Sequence, residues 1–162
     1  MQKSAIISSC GKYRYRLERT WDTSKWVMMF IMLNPSIADA EIDDPTIRRC
    51  IGFAESWWYG WIIVWNLFPF RATNPKDLIE ENTPFTLENS KYLYEMSEIS
   101  DLILCAWWNQ QIVEKLYKKF PRYMPLVSII KQLSCIELSK GGVPKHPLYL
   151  KKSSQPISYQ NK

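Results

Sequence analysis

The sequence predicts a three-layer α/β/α fold, in which helices cover both faces of a mainly parallel, four-stranded central sheet. Three observations support this fold class. Short apolar segments alternate with amphipathic segments, turn-forming residues separate them, and a stretch near the N-terminus alternates polar and apolar side chains. Alternating strands and helices are typical of a parallel sheet with right-handed crossovers. The N-terminal stretch predicts an additional antiparallel edge strand or hairpin.

Four apolar segments have the length and composition of strands that are buried on both faces. They are residues 26–33, 61–67, 102–108 and, more weakly, 135–138. They recur about once per βα unit, which is the spacing that a parallel sheet requires.

Three segments show the apolar spacing of helices that pack one face against a sheet. In the first, Asp44 is a good N-cap and Pro45 suits the first helical position, so a helix should begin there and end before Gly60. The other two are residues 87–99 and residues 109–120, and lysines lie opposite the apolar face of the latter.

The two ends of the chain carry different signals. Residues 13–21 alternate in polarity, which predicts an exposed antiparallel strand at the edge of the sheet. The tail, at about residues 152–162, is polar and is predicted to be frayed. Neither repeats nor a linker interrupt the chain, so we predict that residues 1–162 form a single domain.

Composition narrows the class of protein. The 21 Lys and Arg residues outnumber the 16 Asp and Glu residues, and the net charge of +5 suits a polyanionic partner. The four cysteines form no Cys-x-x-Cys pair, which argues against a metal cluster or a disulfide framework. No apolar run suits a signal peptide or a membrane span, so we expect a cytoplasmic protein without a membrane partner. We predict neither a metal nor a cofactor.

Four unusual segments close or follow the four predicted strands. They are Asn34-Pro35-Ser36, Asn66, Trp107-Trp108-Asn109, and residues 144–147, which contain His146. Ligands bind beyond the carboxyl ends of strands in parallel sheets, because the loops there meet the N-termini of helices. The sequence therefore predicts one site at this edge of the sheet.

The turn after the first strand offers two candidate catalytic residues. Pro35 fixes this turn, so Asn34 could hold a water molecule, and Pro35 and Ser36 could contact a ligand. The alternative for Asn34 is an Asx turn that only caps the strand. Asp39 could act as a general base if it faces the site, although solvated capping is the alternative for the acidic residues of this loop.

Asn66 interrupts an apolar strand, and a buried amide must find hydrogen-bond partners. Its donor and acceptor stand side by side, which matches the edge of a pyrimidine or an adenine. The alternative is a core asparagine that the backbone satisfies. Arg71 lies in a turn and could meet a phosphate or form a structural ion pair.

His146 is the only histidine in the chain, and its position after the fourth strand makes it a candidate acid or hydrogen-bond donor. Five aromatic residues stand beside the predicted site: Phe68, Phe70, Trp107, Trp108 and Tyr149. One of these rings could stack on a planar ligand, and core packing is the alternative for each of them.

Several motifs occur in an order that resembles a small bacterial and phage family, domain of unknown function 1643. They are Leu-Asn-Pro-Ser-Ile-Ala-Asp at 33–39, Asp-Asp-Pro-Thr-Ile-Arg-Arg-Cys at 43–50, Asn-Leu-Phe at 66–68, Arg-Ala-Thr at 71–73, and Gly-Val-Pro-Lys-His-Pro-Leu-Tyr at 142–149. The resemblance covers almost the whole chain, from residue 11 to residue 150. One departure is Trp108, where relatives tend to have glycine in an Ala-Trp-Gly sequence.

The layout is also distantly similar to uracil-DNA glycosylases of the mismatch-specific and related branches. Those enzymes carry a Gly-x-Asn-Pro-Gly turn after the first strand, an asparagine after the second core strand and a late His-Pro-Ser loop. The resemblance implies a uracil-DNA-glycosylase-like fold. It also implies that Asn34 holds the attacking water, Asn66 reads the base edge and His146 contacts the oxygen of the leaving base. Ser36 and Leu148 depart from the glycine and the serine, so the base need not be uracil.

The leading interpretation is a glycosylase-like hydrolase that cleaves an N-glycosidic bond in nucleic acid, in a nucleoside or in a nucleotide. A flipped base needs an aromatic surface and an amide that reads its edge, and both are present among the candidate residues. The second interpretation is a non-catalytic domain that binds DNA or a nucleotide. In the third, the polar segments only cap strands.

Overall fold

The computed structural model describes residues 1–121, 130 and 132–160, and within these residues seven strands form one mixed sheet. The strands are β1 (Gln2–Ile7), β2 (Arg14–Thr20), β3 (Trp26–Met32), β4 (Tyr59–Asn66), β5 (Leu102–Cys105), β6 (Leu133–Cys135) and β7 (Ile157–Tyr159). The helices are α1 (Pro45–Ser56), α2 (Asp77–Glu80), α3 (Glu88–Glu98) and α4 (Gln110–Lys119), and a 3₁₀ turn covers Pro147–Tyr149.

The four predicted strands form the centre of a wider sheet. The strand order is β1-β2-β4-β3-β5-β6-β7, in which β4, β3, β5 and β6 are parallel and the outer pairs are antiparallel. The chain leaves β3 towards β4 on one side and later returns to β5 on the other side. The loops that follow β3 and β5 therefore diverge, which opens a crevice at the carboxyl ends of these strands.

Helices lie on both faces of the sheet, as the alternating pattern predicts. The α1 helix packs its buried residues against one face, and α2, α3 and α4 contribute theirs to the core on the other face. The Asp44 side chain accepts a hydrogen bond from the Ile47 amide at 2.8 Å, and Asn109 caps α4 in the same way. The predicted start of α1 at the Asp44 cap is confirmed, and α4 lies within the helix that was predicted over residues 109–120.

Residues 13–21 were predicted to form an exposed strand at the edge of the sheet. The strand exists, but it is neither at the edge nor exposed. The β2 strand lies second from the edge, because β1 pairs along its outer side to form a hairpin. Arg14 and Arg19 on β2 are both buried. The alternation of polar side chains suggested solvent on one face, but both guanidinium groups donate hydrogen bonds to oxygen atoms of the protein instead.

The polar tail is also more ordered than predicted. Ile157–Tyr159 forms β7 and pairs with β6 in antiparallel register, so only residues 161–162 of the predicted frayed segment lie outside the described residues. This strand carries no apolar run of its own, and its backbone pairing supplies the order. Among the described helices, none has both the length and the hydrophobicity that a bilayer-spanning helix requires.

Candidate functional site

A cavity of about 330 Å³ opens at the carboxyl ends of the parallel strands. Its polar and aromatic lining residues are Arg14, Asn34, Ser36, Asp44, Thr46, Asn66, Thr73, Trp108, His146 and Tyr149. Residues that are far apart in the chain meet here because successive strands end at the same edge of the sheet. Two larger depressions lie elsewhere, but the structure shows no buried polar atom without a partner in the described residues that line them.

The Asn34 side chain is held in place by two backbone carbonyls, one in its own turn and one in a distant segment. Its Nδ2 donates hydrogen bonds to the carbonyl oxygens of Pro35 at 3.0 Å and of Ala72 at 2.7 Å. The amide therefore stabilises the loop and also lines the cavity, but not through the predicted Asx turn, in which Oδ1 would accept a backbone amide. Its Oδ1 accepts no hydrogen bond from the described residues, so this oxygen remains an acceptor for a water molecule or a ligand.

Asn66, the last residue of β4, is only 1% exposed. Its backbone carbonyl accepts a hydrogen bond from Asn89 Nδ2 at 2.9 Å, and its side-chain Oδ1 accepts one from Arg14 Nη2 at 3.1 Å. Its Nδ2 is buried and has no partner in the described part of the chain. The protein thus satisfies the acceptor end of the amide and leaves the donor end for an occupant of the cavity.

Arg14 supplies a buried positive charge, with 3% of the residue exposed. Its Nη1 donates to the carbonyl oxygen of Ala38 at 2.9 Å, and the guanidinium forms no ion pair with any described carboxylate. Burial lowers the pKa of Arg14 to about 10, and the Asp44 carboxylate acts in the opposite direction. The group is therefore still a cation at neutral pH.

His146 is half-buried at the start of the 3₁₀ turn. The Leu148 amide donates a hydrogen bond to its Nδ1 at 3.3 Å, so the proton of the neutral ring lies on Nε2. Burial lowers the pKa of the imidazole below its ordinary value of 6.5, and Asp44 opposes this shift. At neutral pH His146 is therefore a neutral hydrogen-bond donor with a fixed tautomer.

Aromatic rings surround His146 at the mouth of the cavity. The Trp108 ring meets it edge-on at 6.1 Å between centroids, and the Tyr149 ring lies at 5.7 Å. Both rings are accessible, with Trp108 41% and Tyr149 79% exposed. They offer a surface on which a planar ligand could stack.

Trp108 has a backbone conformation that favours glycine. Its φ is +48°, in the left-handed region that a side chain disfavours, and its amide donates to the Pro144 carbonyl at 3.0 Å. This hydrogen bond ties the loop after β5 to the segment that carries His146. The conformation gives a physical reason for the glycine that the resemblance places here.

The carboxylates of Asp39 and Asp44 differ in position. Asp39 does not line the cavity, and its Oδ1 accepts hydrogen bonds from the amides of Glu41 and Ile42, both at 2.9 Å. These two bonds hold the pKa of Asp39 below its ordinary value. Asp44, predicted only as a helix cap, is 8% exposed and lines the cavity.

Five of the ten predicted site residues line the cavity, namely Asn34, Ser36, Asn66, His146 and Tyr149. Besides Asp39, the other four lie outside the lining: Pro35, Phe68, Arg71 and Trp107. Phe68 and Trp107 are buried in the core, against Tyr117 and Tyr159 respectively. Pro35 accepts a hydrogen bond from the Ala72 amide, and Arg71 Nη1 donates to the Gly11 carbonyl.

Sequence reasoning missed several lining residues. Arg14 was assigned to an exposed face, and Asp44 to a cap alone. Asp44 does cap α1, but the cap uses only its Oδ1 and leaves Oδ2 for other contacts. Thr46 and Thr73 lie within motifs of the resemblance, at 43–50 and 71–73, but neither was predicted as a site residue. No group of three or more His, Cys, Asp or Glu side chains that could hold a metal occurs in the described residues.

Comparison with known proteins adds one finding. The model of a family described as protein of unknown function (DUF1643) matches residues 14–148. No curated protein and no solved structure matches the chain.

Proposed function

Because this chain belongs to the DUF1643 family, whose description names no function, we propose a function from the site: the cavity binds a nucleobase and hydrolyses the N-glycosidic bond to its sugar. The observation that carries this proposal is the Asn66 Nδ2 group, which is buried beside a cavity without a partner. An unsatisfied buried donor costs about 1–3 kcal/mol. A ligand that presents a hydrogen-bond acceptor would recover this free energy.

The cavity suits a nucleobase in size and chemistry. Its volume of about 330 Å³ lies at the lower end of the range for small-molecule sites. The donors of Asn66 and His146 match the carbonyl oxygens and ring nitrogens of a base, and the Trp108 and Tyr149 rings match its faces. This combination favours a flat heteroaromatic ring over a sugar or an aliphatic acid.

The same groups fit glycosidic cleavage. When the bond between the sugar and the base breaks, the base departs with the electron pair and becomes negative. The neutral Nε2–H of His146 can stabilise this charge, and the open Oδ1 of Asn34 can orient the attacking water. These are the roles that the resemblance to uracil-DNA glycosylases implies for Asn34, Asn66 and His146.

We propose a base in a polynucleotide as the first substrate to test. Three exposed cations lie close in sequence to lining residues: Arg48 follows Ile47 in α1, and Lys151 and Lys152 come shortly after Tyr149. The net charge is +5. Exposed cations of this kind neutralise phosphates along a strand. A nucleoside or a nucleotide uses the same pocket and remains within the proposal.

The test incubates the protein with oligonucleotides that contain uracil, mismatches or modified pyrimidines, and with the corresponding nucleosides. Released base is measured by chromatography and abasic sites by alkaline cleavage. We expect wild type to release a base, and His146→Ala and Asn34→Ala to lose about 10²-fold or more of the rate. Asn82→Ala, at an exposed asparagine outside the cavity, should match wild type. The absence of base release from every substrate would overturn the proposal.

A non-catalytic reader of nucleic acid or nucleotides is the competing function. It is favoured by the two backbone hydrogen bonds of Asn34, which give this residue a structural task. A non-catalytic reader would bind oligonucleotides with an affinity that falls as the salt concentration rises, and it would release no base. Binding that depends on Asn66 and His146 without any product would select this alternative.

A further inference from the structure

We propose that Asp44 is a catalytic carboxylate, which stabilises the positive charge that develops on the sugar and accepts a proton from the attacking water. This inference rests on the proposed glycosidic cleavage and adds a residue to it. From the sequence, Asp44 was expected only to cap α1.

The geometry leaves Asp44 one oxygen for chemistry. The Oδ1 atom accepts the hydrogen bond from the Ile47 amide at 2.8 Å, whereas Oδ2 accepts none within residues 1–121, 130 and 132–160. Asp44 is 8% exposed and, among the described residues, is the sole carboxylate in the cavity lining. Serine, threonine or asparagine would cap the helix as well. The cap therefore does not require a charged group at this position.

The unpartnered Asn66 Nδ2 in the same cavity points independently to a ligand. Arg14 also lines the cavity, and it forms no ion pair with Asp44 or with another described carboxylate. A buried cation and a buried anion thus border the cavity without neutralising each other directly. An occupant can interact with both charges.

This charge separation matches the reaction. As the glycosidic bond breaks, the sugar carbon and its ring oxygen become positive and the base becomes negative. Asp44 offers a negative charge for the sugar, while Arg14, Asn66 and His146 offer a cation and donors for the base. Fixed charges in a buried site act more strongly than charges in water, since little solvent screens them.

The step balances with water as the co-reactant. The bond between the anomeric carbon and the base nitrogen breaks, and both electrons leave with the base. The water oxygen forms a new bond to the anomeric carbon, and one of its protons passes to Asp44 Oδ2. That proton then neutralises the departed base, which gives the free sugar hydroxyl and the free base.

The decisive variant is Asp44→Asn, because asparagine keeps the cap to the Ile47 amide and removes only the charge. Asp39→Asn is the matched control, since that carboxylate also accepts backbone amides but lies outside the cavity. We expect Asp44→Asn to lower kcat by about 10²-fold or more with KM nearly unchanged. We expect Asp39→Asn to keep kcat within about threefold of wild type, and both variants to keep the unfolding midpoint.

A second measurement separates charge recognition from turnover. A hydroxylated pyrrolidine, which is a cation at neutral pH, imitates the positive sugar and is titrated together with the free base. We expect Asp44→Asn to bind the pyrrolidine at least about tenfold more weakly and to bind the free base as wild type does.

The outcomes distinguish the two proposals. Base release that Asp44→Asn preserves, with unchanged pyrrolidine binding, would overturn the role of Asp44 and leave the proposed function standing. If wild type released no base from any substrate, the proposed function would fail and the catalytic role of Asp44 would fail with it.

Discussion

Arg14 Nη2 donates a hydrogen bond to Asn66 Oδ1 over 3.1 Å, and this contact fixes which end of the Asn66 amide remains open. Because the oxygen is engaged, the Nδ2 donor is the group without a partner. Both residues are buried, so bulk water cannot replace the contact. A residue on β2 thereby sets the hydrogen-bonding character of a residue on β4.

Arg14→Met should destabilise the protein. The change leaves Asn66 Oδ1 and the Ala38 carbonyl without a donor, at about 1–3 kcal/mol each, and removal of a buried charge offsets part of this cost. We expect the free energy of unfolding in urea to fall by about 2 kcal/mol. Arg48→Met, at an exposed arginine, should change it by less than about 0.5 kcal/mol. An unchanged Arg14→Met variant would show that the guanidinium contributes nothing to stability.

The pKa of His146 is directly measurable, because the chain has one histidine and therefore one imidazole to follow by NMR. We expect a pKa below 6.5, owing to burial. Asp44→Asn should lower the pKa of His146 further, because the Asp44 charge acts to raise it. Asp39→Asn should leave it unchanged. A pKa at or above 6.5 in wild type would contradict the burial of this ring.

Stability should depend on pH through the same residue. The folded state disfavours the imidazolium, so the unfolded state takes up the proton first as the pH falls through 6.5. His146 therefore reduces stability on the acidic side of this value and has no effect well above it. Urea unfolding at several pH values should show a smaller loss in His146→Gln than in wild type. Parallel curves for the two proteins would refute the assignment.

Glycine and alanine at position 108 should reverse their usual order of stability. Both Trp108→Gly and Trp108→Ala remove the ring, but only alanine keeps a Cβ at a φ of +48°. We expect the glycine variant to be more stable than the alanine variant by about 1 kcal/mol. At Lys115, an exposed position inside α4, alanine should instead be the more stable by about 1 kcal/mol. The same order at both positions would mean that residue 108 is unstrained.

Asp43 should contribute far more to the free energy of unfolding than an exposed carboxylate does. Arg19 is fully buried, and its Nε donates to Asp43 Oδ1 at 2.5 Å, while Lys3 Nζ lies 2.7 Å from Oδ2. Asp43→Ala leaves the buried guanidinium without its counter-ion, so we expect a loss of about 3 kcal/mol or more in unfolding free energy. Glu95→Ala, in an exposed pair with Lys91, should cost less than about 1 kcal/mol. Similar losses in both variants would contradict this distinction.

The parallel core could be predicted because its strands are buried on both faces and therefore carry dense apolar runs. The starts of α1 and α4 were also legible, since Asp44 and Asn109 cap them locally. The two outermost strands could not be found in this way. Gln2–Ile7 and Ile157–Tyr159 owe their structure to backbone pairing with a neighbour, and their own side chains give little signal.

The site followed the same division. Asn34, Asn66 and His146 line one cavity because each closes or follows a core strand, and the ends of parallel strands could be aligned from sequence. It was harder to predict which of two adjacent side chains lines the cavity, since neighbouring residues point in different directions. Trp107 enters the core while Trp108 borders the cavity. The burial of Arg14 depends on partners in distant segments, which no local pattern reveals.

Asn66 is held by two hydrogen bonds, since Asn89 on α3 donates to its backbone carbonyl and Arg14 on β2 donates to its side chain. Folding has therefore already removed the rotational freedom of this amide. Immobilising a side chain on association costs about 0.5–1.5 kcal/mol, and here that loss precedes the arrival of any ligand. A small ring compound should therefore bind without a rearrangement of Asn66, and its affinity should depend on how well it fits the cavity.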